Sequence, residues 1–280
     1  DQELRLVIEE MIGYALLPTS RFQKAFILTG EGSNGKSTFL EMLIEFLGNE
    51  NVSSLSLKEL NHNFKIAEIT SKLANIGDDI SGEYLEDSSI FKKLVTGEDI
   101  TVDKKNEQPY KLRNTAKLIF AANELPMTMD KTKGMERRLT IIPFNATFSQ
   151  YDEDYDPFIV DKLKSDNAKS YLLNIGIQGI QRLYAQNGFT ESKASAEVFR
   201  RYRIENNNVL GFLDDVGDEI LEQSTHDVYS RYNMWCAMHG LNPYKLTKVN
   251  KTIRENGFLN HTTTRDGQSV QVWRRVKWNL

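Results

Sequence analysis

The sequence predicts an α/β fold: a parallel sheet flanked by helices and built around a phosphate-binding loop. A helical segment and a small C-terminal helix-and-hairpin domain follow. Three observations predict this. Gly30-Glu31-Gly32-Ser33-Asn34-Gly35-Lys36-Ser37-Thr38 fits the pattern G-x-x-x-x-G-K-[ST]. The apolar run at 25–29 before it reads as a buried strand, and residues 39–47 after it have helical spacing and stop at Gly48. Further β-prone runs at 72–77, 117–122 and 139–144 alternate with helical patterns, which is how a parallel sheet is written in sequence.

Strand, glycine-rich loop and helix form the arrangement that phosphate binding needs. Glycines let backbone N–H groups curl around an anion at the positive end of a helix. Residues Gly30, Glu31, Gly32, Ser33, Asn34, Gly35, Lys36, Ser37 and Thr38 are therefore the candidate nucleotide loop. Lys36 is expected to reach the β/γ-phosphates and Ser37 to bind Mg²⁺.

Upstream, residues 3–17 place Leu4, Val7, Ile8, Met11 and Ile12 on one helical face, and Pro18 ends the run. Residues 1–20 thus read as a helix packed on a core at 21–150. Helical spacing is expected around 60–69. Residues 72–79 read as a second core strand ending in Asp78 and Asp79. In this kind of site one such acid holds Mg²⁺, usually through water, and the next polarises the attacking water, so Asp78 is the metal candidate and Asp79 the water-activating one.

A short helix is expected at 88–95. Two β-prone runs at 100–102 and 110–112 then flank a polar segment, which is a hairpin signal, with Lys104 and Lys105 at its tip. By spacing alone two lysines at a turn read as a solvated tip. The third strand ends at Asn123, an amide able to orient water or touch a γ-phosphate. The fourth is entered through Arg137 and Arg138, either a surface pair or a source of charge for a neighbouring subunit's nucleotide.

Residues 151–205 read as a helical segment and 206–280 as a separate domain beyond Asn206-Asn207-Asn208. Its pattern is a helix at 209–221 and a second to about His239, opened by the capping signal Ser224-Thr225-His226-Asp227. A third, basic helix follows at 247–256, then a hairpin turning at Arg265-Asp266-Gly267-Gln268. That order is the order of a winged helix-turn-helix. Lys248, Lys251 and Arg254 line the outer face of the basic helix, and Arg265, with Arg274, sits on the wing. Winged helices bind DNA or protein, so both partners stand open.

The totals suit this reading. The chain has 280 residues, 40% hydrophobic and 26% charged, with net charge −4. Residues 241–280 carry eight Lys/Arg against two acids, +6, on a body of −10, so the basic end is expected to meet an anion. Cys236 is the single cysteine, which excludes an internal disulfide and fits a reducing, cytoplasmic setting. The four histidines have no zinc-site spacing, and no run is apolar enough to span a membrane. Because the chain starts at Asp1, it reads as a piece of something longer.

Together these residues resemble superfamily 3 helicases, and most closely the phage and plasmid primase-helicase family, over nearly the whole chain. The resembling motifs are the loop at 30–38, Asp78-Asp79, Thr96-Gly97-Glu98 leading to Lys104-Lys105 and Gln108-Pro109, Asn123-Glu124-Leu125-Pro126, and Arg137-Arg138 with Ile142-Pro143-Phe144. The resemblance implies an AAA+ fold, a homo-hexameric ring, ATP and Mg²⁺ at subunit interfaces, and travel on single-stranded DNA at an origin or fork. Host replication proteins are further partners of that kind. It also turns the lysine hairpin into a DNA contact and makes Arg137 or Arg138 a finger acting in trans. One departure is that Asp103 and Glu107 flank the lysine pair, which must supply the positive field alone. No primase domain is visible. Rival readings are an ATP-switched origin-binding or loading factor, a P-loop kinase, and a docking module centred on the C-terminal unit.

Overall fold

The computed structural model describes residues 1–77, 80, 84–85, 88–103, 108–123, 125, 127–128, 133–153, 155–265 and 268–276. The chain forms two compact units, Asp1–Val198 and Phe199–Leu280. In the first unit the elements run α1 (Gln2–Ala15), β1 (Ala25–Thr29), α2 (Lys36–Leu47), β2 (Val52–Ser53), β3 (Ala74–Gly77), β4 (Tyr84–Leu85) and α3 (Ser89–Thr96). They continue with β5 (Asp99–Val102), β6 (Tyr110–Arg113), β7 (Lys117–Ala122), β8 (Met127–Thr128), α4 (Lys133–Glu136), β9 (Leu139–Pro143), α5 (Ile159–Leu163) and α6 (Asp166–Gln186). Helix α7 (Lys193–Asn206) runs across the division between the units.

A five-stranded sheet in the order β2-β3-β7-β1-β9, with every neighbouring pair parallel, forms the centre of the first unit. All residues of β1 and β7 are buried, as expected of strands covered on both faces. Their side chains alternate between two cores. Ala25 and Ile27 of β1 join Leu118 and Phe120 of β7 under Phe91, Leu94 and Val102. Phe26 and Leu28 join Ile119 and Ala121 under Met11, Leu40 and Leu43. Strand β9 is an edge, where the missing N–H of Pro143 costs no ladder bond. The expected hairpin is present: β5 and β6 pair antiparallel, Asp99 opposite Arg113 and Val102 opposite Tyr110. The helix expected around 60–69 is instead two 3₁₀ turns, Glu59–Asn61 and Lys65–Ile69. Asn61 and Asn63 favour the break, since short polar side chains of this kind compete for the backbone, while Leu60, Ile66 and Ile69 still fill the core.

Helices α1 and α6 pack so closely that glycine is required where they touch. A Cβ on Gly13 would lie 2.3 Å from the Gly176 carbonyl oxygen, and one on Gly179 would lie 2.3 Å from that of Glu9. Beside this crossing two buried glutamates meet arginines that reach the surface. Glu10 is fully buried and accepts from Arg182 Nε (2.8 Å), Gln186 Nε2 (3.0 Å), and the backbone N–H (2.8 Å) and hydroxyl (2.6 Å) of Thr190. Glu9 accepts from Arg182 Nη2 and Arg5 Nε, each at 2.9 Å. At the start of β7, Lys117 is buried with its ammonium donating to the Leu17 and Thr115 carbonyls and lying 4.6 Å from the Tyr14 ring centroid.

In the second unit α8 (Asn208–Val216), α9 (Thr225–Met238) and α10 (Leu246–Glu255) precede an antiparallel pair, β10 (Phe258–Arg265) and β11 (Gln268–Arg275). The capping signal operates as read: Ser224 Oγ accepts from the Asp227 N–H at 3.0 Å. Val209, Phe212, Tyr232, Cys236, Ile253 and Trp273 form its core. Trp273 is thus a packing residue, while Trp278 lies outside the described residues. Among the described residues no helix is long and apolar enough to cross a membrane.

Two outcomes follow from the buried charges. Arg182→Ala leaves Glu10 buried without its cation and is expected to cost about 3 kcal/mol in urea unfolding. Burial pushes the Lys117 ammonium down to about 7. Between there and its ordinary value near 10.5 the unfolded chain holds a proton the folded chain has released. Stability should therefore rise with pH through that window, by up to about 1.4 kcal/mol per unit. Lys117→Met should remove that slope in denaturation curves taken from pH 7 to 9.5.

Candidate phosphate-binding site

Strand β1 delivers the chain into the loop at Gly30, whose N–H donates to Ala122 O of β7 at 3.3 Å. A Cβ here would strike Phe144 O at 2.4 Å, so this position admits only glycine. Gly35 takes φ 84°, the left-handed region that favours glycine, and turns the chain into α2. Gly35, the N-cap residue, has no side chain to cap the helix, and the Lys36 N–H instead reaches Asn34 Oδ1 at 3.5 Å. Ser33 also has positive φ, 56°.

Asn34 holds the loop shut. Its Nδ2 donates to Glu31 O (2.9 Å) within the loop and to Phe144 O (3.2 Å) just beyond β9. Its Oδ1 accepts from Lys36 Nζ at 3.1 Å. The buried Lys36 ammonium also donates to Gly30 O and, at 3.2 Å, to Asn123 Oδ1, so the loop lysine and the amide after β7 meet. Ser37 is exposed on the first turn of α2. Such an arrangement can hold a phosphate chain. The start of α2, with the positive end of the helix dipole, would face such an anion, and a lysine stands at the end nearest β7.

The sequence candidates divide into three groups. The structure brings residues 30–38 and Asn123 together. Asp78, Asp79, Lys104 and Lys105 lie outside the described residues; the last residue of β3, Gly77, pairs with Phe120 beside the loop strand. Arg137 and Arg138 stand at the other end of the sheet. They precede Leu139, which pairs with Ala25, whereas the loop follows Thr29, which pairs with Pro143. Five strand residues, roughly 16 Å, separate them from their own loop. Arg137 is exposed, whereas Arg138 is buried, with Nη1 donating to Gly134 O.

In the C-terminal unit α10 buries Val249, Thr252 and Ile253 and exposes Lys248, Lys251 and Arg254 on its other side. Lys248 Nζ lies 3.3 Å from the Tyr244 ring centroid, and Lys251 is 3.9 Å from Glu255. Arg265 ends β10, its side chain outside the described residues, and Arg274 is paired with Glu222 at 2.7 Å. A cavity of about 240 Å³ in this unit is lined by Arg200, Arg203 and Arg275, but Arg200 pairs with Asp214 (2.5 Å) and Arg275 with Asp218 (2.6 Å).

Sequence reading missed the outer wall of the loop, residues 144–148. Phe144 N–H donates to Thr29 O (2.7 Å), Phe144 O accepts from Asn34, and Phe148 N–H donates to Ser33 O (2.8 Å). Residues 144–148 take part in these bonds only through their backbone groups, which no residue type there announces. The one available signal was Asn34 itself, an amide placed inside an otherwise glycine-rich loop.

Comparison with known proteins finds two partial family matches, a viral relative and solved structures of the same fold. Residues 28–138 match a family of unknown function (DUF5906), and residues 204–278 match the poxvirus D5 protein-like family. The putative helicase L207/L206 of Acanthamoeba polyphaga mimivirus is 28% identical over 160 residues, which take in 55% of this chain and 17% of that protein. The chain therefore corresponds to a small part of that relative. Two apo structures of the NrS-1 C-terminal region share the fold. One has TM-score 0.56 and 15% identity, covering 96% of this chain and 71% of that one; the other has 0.55 and 14%, covering 95% and 70%. The matches bear out the resemblance to the C-terminal part of superfamily 3 helicase-type proteins.

Asn34→Ala removes the tie between the loop and residue 144. Amide hydrogen exchange at 31–36 is expected to speed up at least tenfold while β1 and β7 stay protected; unchanged loop protection would contradict the role given to Asn34.

Proposed function

We propose that this chain is the motor part of an ATP-dependent replicative DNA helicase of superfamily 3 type, built on an AAA+ core and working as a hexameric ring on single-stranded DNA. The observation that carries the reading is the meeting of Lys36 with Asn123 across Gly30 and Asn34. A lysine that answers both the loop and the end of the neighbouring strand is suited to grip a terminal phosphate and report its loss.

The residues fit the nucleotide. N–H groups of residues 31–38 and the uncapped start of α2 would take its phosphates, with Lys36 on the β/γ oxygens. The donor set also suits Mg²⁺, a hard cation that takes oxygen ligands: the exposed Ser37 hydroxyl together with Asp78. When bound, MgATP supplies the phosphoanhydride whose cleavage drives the motor. Asp79 and Asn123 would orient the attacking water.

The finger falls to Arg137. It is exposed at the end of the sheet away from its own loop, which suits it to a neighbour's nucleotide rather than its own. Arg138 is already committed to Gly134 O inside the fold. Lys104 and Lys105, which lie between β5 and β6 in the sequence, are assigned to the DNA backbone in the ring's channel. The C-terminal unit is read as a winged helix whose α10 cations (Lys248, Lys251, Arg254) and wing arginine (Arg265) meet DNA at an origin or fork, with a host replication protein as the alternative partner. The cell compartment proposed is the cytoplasm.

Lys36→Ala is expected to abolish DNA-stimulated ATP hydrolysis. Lys104→Ala with Lys105→Ala should lose strand displacement while basal hydrolysis stays within about twofold of the parent. A double variant that unwinds normally removes the hairpin from the mechanism. Rings mixed from Arg137→Ala and Lys36→Ala subunits should recover part of the activity that each lacks alone, because some interfaces then have both parts intact. Arg138→Ala should lower the melting temperature instead. A chain that stays monomeric and hydrolyses no ATP with oligonucleotide present defeats the whole reading.

A further inference from the structure

The outer wall of the loop ends in an aromatic ring that faces solvent. Phe148 is 57% exposed, and one exposed phenylalanine on a surface needs no explanation. This one is fastened in place. Its N–H donates to Ser33 O at 2.8 Å, and its ring lies against Gly35, where a Cβ would meet the ring edge at 3.3 Å. The segment leading to it is tied to Thr29 and Asn34 through both backbone groups of Phe144, whose own ring packs edge-on against Phe39 of α2 at 5.7 Å. An exposed ring has thus been fixed beside the amides that open α2.

Its side of the loop matters. Lys36 Nζ and Asn123 meet towards β7, where the nucleotide reading above puts the terminal phosphate. Phe148 continues from β9, on the opposite side of β1. A nucleotide whose last phosphate points to β7 carries its sugar and base away from β7. The ring on the β9 side then offers a flat apolar face to the base. Resting on the nucleotide reading above, we propose that Phe148 is the base-stacking residue of the site, a subsite for the nucleobase of the bound triphosphate. Stacking uses the π-face that every base has, so this contact adds affinity without selecting one base.

The test compares ATP with inorganic tripolyphosphate, which has the phosphates and no base, by calorimetry on the full chain. Phe148→Ala should weaken ATP about tenfold or more and leave tripolyphosphate unchanged, since base–aromatic stacking is lost and the loop is not. Phe148→Trp should keep ATP affinity. Phe148→Leu, which preserves an apolar contact on Gly35, should behave towards ATP like the alanine variant. Equal ATP affinity in parent and alanine variant overturns the subsite. So does equal weakening of both ligands, which would mean that the ring only props the loop. A parent chain that binds neither ligand removes the nucleotide reading itself, an outcome distinct from either.

Discussion

A single asparagine side chain joins the parts on which the candidate site depends. Asn34 has one amide, and it spends both ends of it. The NH₂ group reaches the loop's own Glu31 carbonyl and the carbonyl just past β9, while the oxygen receives the loop lysine. The loop is thereby tied on one flank to the edge of the sheet. Through Lys36 it is tied on the other flank to Asn123 after β7. Because Gly30 and Gly35 supply the backbone freedom, the loop can take this shape. Because Asn34 supplies the hydrogen bonds, it keeps it. Such preorganisation lets amide donors await an anion without paying an ordering cost at the moment of binding.

The rigidity behind the loop comes from the sheet and from the α1–α6 pair. Strand β1 has neighbours on both sides and helices on both faces, so it cannot shift without disturbing both cores. Helices α1 and α6, drawn together at glycines, enclose the Glu9–Glu10–Arg182 network. Buried charges of this kind add little net stability compared with apolar packing, but they penalise any other register of the two helices, because a misplaced Glu10 would be buried unpaired. Lys117 works in a similar way, its ammonium meeting the Leu17 carbonyl just past α1.

Much of this was legible beforehand, and the parts that were not share a cause. The loop could be read because its chemistry dictates residue types at fixed spacing. The strands beside it could be read because burial on both faces leaves unbroken apolar runs, as at 25–29 and 117–122. The β5–β6 hairpin and the Ser224 cap were visible because turns and caps use side chains. What stayed hidden depends on tertiary partners. Glu9 and Glu10 look like surface acids until Arg182, over 170 positions later, is brought beside them. Residues 60–69 have apolar spacing that suits an α-helix, yet two asparagines within it favour tighter turns. The wall at 144–148 takes part in its hydrogen bonds to the loop through its own backbone groups, which leave little trace in residue identity.

The two arginines before β9 show how a shared motif can separate into different roles. In sequence they are equivalent neighbours. In the fold, one guanidinium turns inward to the Gly134 carbonyl and the other stays in solvent. Parallel pairing of β1 with β9 puts both at the end of the sheet from which the phosphate loop is most distant. A charge at that end cannot reach its own loop, since the length of the strand intervenes. If it acts on a nucleotide at all, that nucleotide must belong to another subunit. The assembly in the proposed function thus agrees with the strand direction: a parallel sheet sends its loop out at one end and receives these arginines at the other, so the proposed finger would act on the loop of a second chain.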